Sequence, residues 1–222
     1  MSPPAPTDNN RRSSLPAPSP HHHAPMPDLP QRISGALEFS DMSGRPIGAA
    51  DFHDHWTFLF FGYSRCRASC PVAIPKIVRA ADDLRRLGVD ARAVFVDIDV
   101  PPLSNLRFRR PDAMTQATSH SLPPHHHGDM ERVAAMRALA NRYPGRLVIA
   151  TGTRGQLAAA GRAFNVAREH IPPRQGERGH SINHSSLIYF LDPSPKVAGY
   201  ASHEVSLSAL TEQMLQHVRS RR

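Results

Sequence analysis

At 222 residues and 24.5 kDa the chain is long enough for one sizeable domain, yet 22 prolines and a mean hydropathy of -0.42 leave part of it unpacked. Its formal net charge of +8 comes from arginine, with Lys76 and Lys196 the only lysines, and it holds no block of basic residues interleaved with aromatics, which argues against a nucleic-acid partner. No stretch reaches the roughly 18 apolar residues of a membrane span, and the start of the chain lacks the apolar core of a signal peptide, so the expectation is a soluble chain that either works in the cytosol or is held at a membrane by an anchor upstream of Met1.

Residues 1–33 are rich in Pro, Ser, Ala and Asn and poor in large apolar side chains, so they bury too little surface to offset the entropy of ordering and read as a disordered tail. The run His21, His22, His23 inside it reads as solvated low complexity or a loose metal gatherer. The folded domain is expected over residues 34–222. It opens with ALEF, SDMSGRP and IGAADF, two short strands joined by a turn at Ser43 and Gly44.

The stretch from Trp56 to Leu84 carries the chemistry. Trp56 to Phe61 is β-branched and aromatic without polar alternation, which suits a strand covered on both faces. Pro71 suits the first turn of a helix, where its missing N–H is not needed, and Ile74, Ile77, Val78, Ala81 and Leu84 follow at helical spacing. Cys66 therefore falls in the loop and Cys70 at the helix mouth. There the unpaired N–H groups and the positive end of the helix dipole favour thiolate, as do the charges of Arg65 and Arg67. In a roughly helical turn a four-residue spacing puts the two Cα atoms about 6 Å apart. That distance permits a reversible disulfide or a pair of soft metal ligands, and two cysteines so spaced are not a structural disulfide framework.

Ala93 to Asp99 is a second buried strand, so strand, helix and strand follow in order and a parallel pairing is expected. Residues 100–128, with five prolines and no sustained period, read as a long loop insertion. His120, His125, His126 and His127 within it either collect a transition metal near the cysteines or belong to a mobile segment. Met130 to Tyr143 returns to helical spacing, Leu147 to Ala150 is a short strand, and Thr153 to Val166 a further helix. Ser186 to Leu191 and Val197 to Tyr200 read as a hairpin, and Ser206 caps a final helix built on Leu207, Leu210, Met214 and Val218. The sum is an α/β protein of thioredoxin layout, a central mixed sheet with helices on its faces and an N-terminal β-hairpin.

Immediately before the SLIYFL strand stands GHSINHSS, with His180 and His184. A histidine entering a strand beside the central one can face the cysteine loop. His184 is thus either a hydrogen-bonded structural residue or a partner for the two thiols.

The segments FSDMSGRPIGAADFHDHWTFLFFGYSRCRASCP, LVIATGTRGQLAAAGRAFNV and INHSSLIYFLDPSPKVAGY resemble the Sco/SenC family of copper chaperones for cytochrome c oxidase assembly, over residues 35–219. FGYSRCRASCP matches the family's FGY-x-x-C-x-x-x-C-P, and NHSSLIYFLDP its histidine before a strand ending in Asp-Pro. By that resemblance Cys66, Cys70 and His184 are the three copper ligands, and Asp99 opens the family's Asp-Pro-Glu-Arg-Asp stretch. The chain departs from the pattern in reading Val100, Pro101 and Pro102 after Asp99, in carrying Asn183 where an aspartate is usual, and in its lack of the usual anchor.

The resemblance implies delivery of Cu(I) to the copper-site subunit of a haem-copper oxidase, on the extracytoplasmic face of a membrane, with other copper carriers or thiol reductants as further partners and reduction of target cysteines as a second role. Two thiolates and an imidazole suit Cu(I), whereas Cu(II) asks for a further hard ligand. The protein is then a carrier rather than a catalyst. The competing readings are a thiol:disulfide oxidoreductase of the same fold without a metal, a Cys₂His zinc site, and a binding module whose ligand residues have lost their use.

Overall fold

The computed structural model describes residues 37–99, 125–171 and 181–221. The elements in chain order are β1 (Phe39–Ser40), β2 (Pro46–Ile47), a 3₁₀ turn (Ala49–Phe52), β3 (Trp56–Gly62), α1 (Cys70–Arg86), β4 (Ala91–Asp97), α2 (His125–Arg142), β5 (Leu147–Ala150), α3 (Arg154–Ala163), β6 (Arg168–Ile171), β7 (Ser181–His184), β8 (Leu187–Leu191), β9 (Val197–Ser202) and α4 (Leu207–Ser220).

Every residue of β3 is buried, as its unbroken apolar run predicts. It lies in the middle of a five-stranded sheet of order β5-β4-β3-β8-β9, in which β3, β4 and β5 are parallel and β8 and β9 run antiparallel to their neighbours. Successive side chains of a strand face opposite sides, so β3 feeds two cores. Phe58 and Phe60 join Ile77, Val78 and Leu84 of α1 and Leu210 and Met214 of α4, while Leu59 and Phe61 join Leu157, Ala160 and Phe164 at α3 and Phe39 and Phe52 of the N-terminal segment. Each large apolar side chain so covered contributes about 1.5–3 kcal/mol. Edge-on ring contacts knit β3 to β8, Phe58 with Phe190 at 5.6 Å and Phe61 with Tyr189 at 5.9 Å.

Local sequence sets the helix ends. Thr153 and Gln156 form a reciprocal capping box at the start of α3, and the Ala209 amide donates to Ser206 Oγ at α4, as expected for a serine there. Gly88, at φ +80, turns the chain out of α1 in the left-handed region.

Two expectations change. IGAADF is not a strand along its length: only Pro46–Ile47 pairs with β1, and Ala49–Phe52 winds into a 3₁₀ turn that buries Phe52. The hairpin is sewn to the main sheet where Ser40 and Thr151 exchange backbone bonds of 2.7 and 2.8 Å. Helix α2 begins at His125, inside the stretch read as a loop. Arg168–Ile171 and Ser181–His184 form a small antiparallel pair, β6 with β7, which the sequence pattern does not mark. The tail with His21, His22 and His23, most of the 100–128 segment with His120, and His180 lie outside the described residues, as do the side chains of His125, His126 and His127.

Candidate metal centre

The centre forms where β3 ends. At Gly62 the chain leaves the sheet, and it re-enters regular structure at Cys70, the first residue of α1, with Ser69 as N-cap and Pro71 in the first turn. Cys66 thus sits in the loop and Cys70 at the helix mouth, as the sequence predicts. His184 arrives from the far side of the sequence: β7 ends on it, opposite Arg168 of β6, and β8 begins three residues later alongside β3.

One ligand atom from each of Cys66, Cys70 and His184 lies within 4.8 Å of the other two. Both cysteines are free thiols, Cys70 buried and Cys66 half-buried. The imidazole is held by two edge-on rings, Phe60 at 6.2 Å and Tyr63 at 6.1 Å, and its Nδ1 lies 2.9 Å from the Ser185 carbonyl. A carbonyl oxygen only accepts, so that bond places a ring proton on Nδ1 and leaves Nε2 as the nitrogen to ligate a metal.

The two thiols differ sharply. Hydrogen bonding from the Cys70 thiol brings the Cys66 pKa down to about 3 against the resistance of burial, and His184 and the backbone N–H groups of Cys70 and Ala68 add to the effect. The Ala68 amide stands 3.4 Å from the Cys66 sulfur. The same interaction holds the Cys70 proton, so its thiol is pushed up, with burial and the negative charges of Cys66 and Asp97 acting in the same direction. The helix-mouth expectation is therefore reversed for Cys70, which stands at the mouth itself and keeps its proton, while the thiolate falls to Cys66 in the loop. Arg65 is engaged elsewhere, since its guanidinium donates to Asp99 at 2.6 and 3.0 Å and reaches Glu131 at 3.3 Å.

Asp99, buried two residues beyond the end of β4, thus anchors the residue preceding Cys66. Sequence reasoning missed its neighbour Asp97, fully buried, which accepts the Ser64 amide at 3.1 Å and the Arg132 Nε at 3.3 Å. The signal was present as a carboxylate in an otherwise apolar strand, AVFVD. Gly62 also belongs to the site, since a Cβ there would stand 2.6 Å from the Cys70 sulfur. Both cysteines line a cavity of about 320 Å³ between α1 (Pro71, Ile74, Pro75) and α2 (Ala138, Leu139, Arg142), which leaves an approach from solvent.

Two sulfurs and one imidazole nitrogen at this separation can close on one soft metal ion, and without a metal the sulfurs can form a disulfide. Cys66, Cys70 and His184 form the one cluster of potential metal ligands among the described residues. Among those residues, no helix is long and apolar enough to cross a membrane.

Comparison with known proteins places the fold. Among solved structures, the chain is similar to copper-bound Arabidopsis thaliana ScoI (TM-score 0.64, 18% identity, covering 85% of this chain and 99% of that one). It is also similar to copper-bound yeast Sco1 (TM-score 0.61, 16% identity, covering 83% and 87%). The shared fold is thioredoxin-like. By sequence it is 26% identical over 192 residues to a mitochondrial SCO2 homologue of Mus musculus, covering 86% of this chain and 65% of that protein. A SCO2-like protein of Rickettsia prowazekii is 19% identical over 181 residues, covering 82% and 75%. The chain spans less than two thirds of the length of the mouse relative. The SCO1/SenC family model matches residues 26–102 and 128–219, which include both cysteines and His184, and the chain belongs to the SCO1/SenC family.

Proposed function

We propose that this protein binds Cu(I) through Cys66, Cys70 and His184 and delivers it to the copper-site subunit of a haem-copper oxidase, on the extracytoplasmic face of a membrane. The observation that carries the reading is the convergence of the three ligand atoms within 4.8 Å. Thiolate sulfur and neutral imidazole are soft donors, and Cu(I) is content with so few of them, whereas Cu(II) favours a fuller tetragonal set. Solved relatives whose structures hold copper support the choice of metal.

Uptake requires the Cys70 thiol, whose proton is held by the neighbouring Cys66 sulfur and by burial, to ionise, so copper binding releases protons and weakens as the pH falls. Release is by ligand exchange: an incoming thiolate or imidazole approaches along the cavity between α1 and α2 and replaces the site's ligands one at a time. The half-buried Cys66 is the first to be reached.

A second reading, thiol–disulfide reduction, draws on the contrast between an accessible thiolate and a buried thiol. The Cys66 thiolate would attack a target disulfide and expel one target thiolate. Cys70, giving up its proton, would then attack the Cys66 sulfur and expel the second. The target gains two electrons and the pair is left as a disulfide.

The test is a Cu(I) titration of the reduced protein in competition with a chromophoric chelator. One ion per chain is expected, with His184→Ala and either Cys→Ala variant losing most of the affinity. Unchanged affinity in those variants rejects the copper site. A fully active disulfide reductase that ignores copper would leave the second reading standing.

A further inference from the structure

We propose that Asp97 is a positioning residue for this centre: its buried carboxylate, braced by Arg132 of α2, ties down the backbone at Ser64 and so fixes where Cys66 stands relative to Cys70. The segment from Gly62 to Cys66 is pinned at successive points. The Ile98 amide donates to Gly62 O at 2.8 Å, the Ser64 amide to Asp97 Oδ2 at 3.1 Å, the Arg65 guanidinium to Asp99, and the Cys66 amide back to Tyr63 O at 2.9 Å. Asp97 holds the middle of that series, and among the described residues no other side chain gives the Ser64 amide an acceptor.

Its environment explains why a carboxylate stands there. Oδ1 accepts the Asp99 amide at 2.8 Å and Arg132 Nε at 3.3 Å, while Oδ2 accepts Ser64. All three partners are donors on opposite oxygens, so a carboxamide would turn its NH₂ toward one donor or another in either orientation. The Arg132 side chain, 15% exposed, continues to the Asp97 carbonyl at 3.5 Å and to Thr151 Oγ1, locking α2 and β5 to the carboxylate. A full negative charge with no exposure is retained at a strand end only where such a partner supports it.

The metal readout rests on the copper reading above; the redox readout does not. Full-length reduced protein and its Arg132→Met, Arg132→Lys and Asp97→Asn variants would be compared for Cu(I) affinity by chelator competition and for the midpoint potential of the Cys66–Cys70 couple in dithiol buffers. Removing an outer support of a metal ligand typically weakens binding 10- to 100-fold. Arg132→Met is expected to lose about tenfold in affinity and to move the potential by about 30 mV, a tenfold change in the disulfide equilibrium. Arg132→Lys should recover most of both, and Asp97→Asn should lose more than Arg132→Met. If Asp97→Asn fails to fold by circular dichroism, Arg132→Met decides. Wild-type affinity and potential in folded Arg132→Met, even with a lower melting temperature, would show that the pair is structural only and overturn the proposal. A wild-type protein that takes up no Cu(I) would reject the copper reading, and the potentials alone would then decide the role of Asp97.

Discussion

Gly62 and Cys70 approach so closely that a methyl group on the glycine would stand 2.6 Å from the cysteine sulfur and 2.9 Å from Cε2 of Phe95. The sulfur packs against the bare backbone at the end of β3, and that contact sets how deeply α1 seats against the sheet. Overpacking of this kind costs about 1–3 kcal/mol. Gly62→Ala is therefore expected to fold with a lowered melting temperature and to bind Cu(I) about tenfold more weakly, because the sulfur must move to admit the methyl. Chelator competition and thermal unfolding read the two effects separately, and wild-type copper affinity would show that the site tolerates the shift.

The asymmetry of the thiols gives a chemical prediction. Hydrogen bonding from Cys70 draws the Cys66 pKa well down, while the Cys70 thiol is pushed up by its neighbour and by burial. Only thiolate is alkylated at an appreciable rate. One equivalent of iodoacetamide at pH 5 to 7 should modify Cys66 and spare Cys70, with a rate that hardly changes across that range. Peptide mapping by mass spectrometry checks this. Equal labelling of both residues, or a rate at Cys66 that collapses below pH 8, would contradict it.

Much of this site is legible in the sequence because its parts are local. An unbroken apolar strand, a cysteine loop and a helix opened by Pro71 follow each other within thirty residues, and the periodicities that mark them are strong. The place of His184 is legible because a clear apolar strand begins three residues after it and pairs with β3. The supports are harder to see. Asp97 and Arg132 are 35 residues apart and meet only because α2 crosses the end of β4, and no spacing rule connects them. The β6–β7 pair escaped because REHI and SINH lack the alternation of a half-buried strand: Ile182 is buried, whereas Ile171 is 45% exposed. The start of α2 escaped because three histidines and a glycine are poor helix formers.

His55 makes stability sensitive to acid. It is 3% exposed, at the entry to β3, and burial holds its pKa below the usual 6.5, assisted by Arg92 and opposed by the His53 carbonyl, Asp90 and Asp54. The unfolded chain therefore takes up this proton at a higher pH than the folded one. Stability is fully present above about pH 6.5 and falls as the pH drops from there through the folded-state value. The melting temperature should decline between pH 7 and pH 5, and His55→Phe should flatten that slope. An identical pH profile for the variant would place the acid sensitivity elsewhere.

Thr57 offers a stabilising substitution. It lies in β3 between Arg92 of β4 and Leu191 of β8, fully buried, and its Oγ1 has no hydrogen-bond partner among the described residues. A hydroxyl taken out of water without a partner costs about 1–3 kcal/mol, and valine has nearly the same shape with a methyl in its place and a stronger preference for strands. Thr57→Val should therefore stabilise the protein by about 1–2 kcal/mol, and 1 kcal/mol corresponds to about 2–4 °C in a domain of this size. Because Thr57 lies at the opposite end of β3 from Gly62, Cu(I) affinity should stay at the wild-type value. Differential scanning calorimetry and chelator competition on the same preparation test both halves, and a destabilised Thr57→Val would mean that the hydroxyl is satisfied in solution by a bound water.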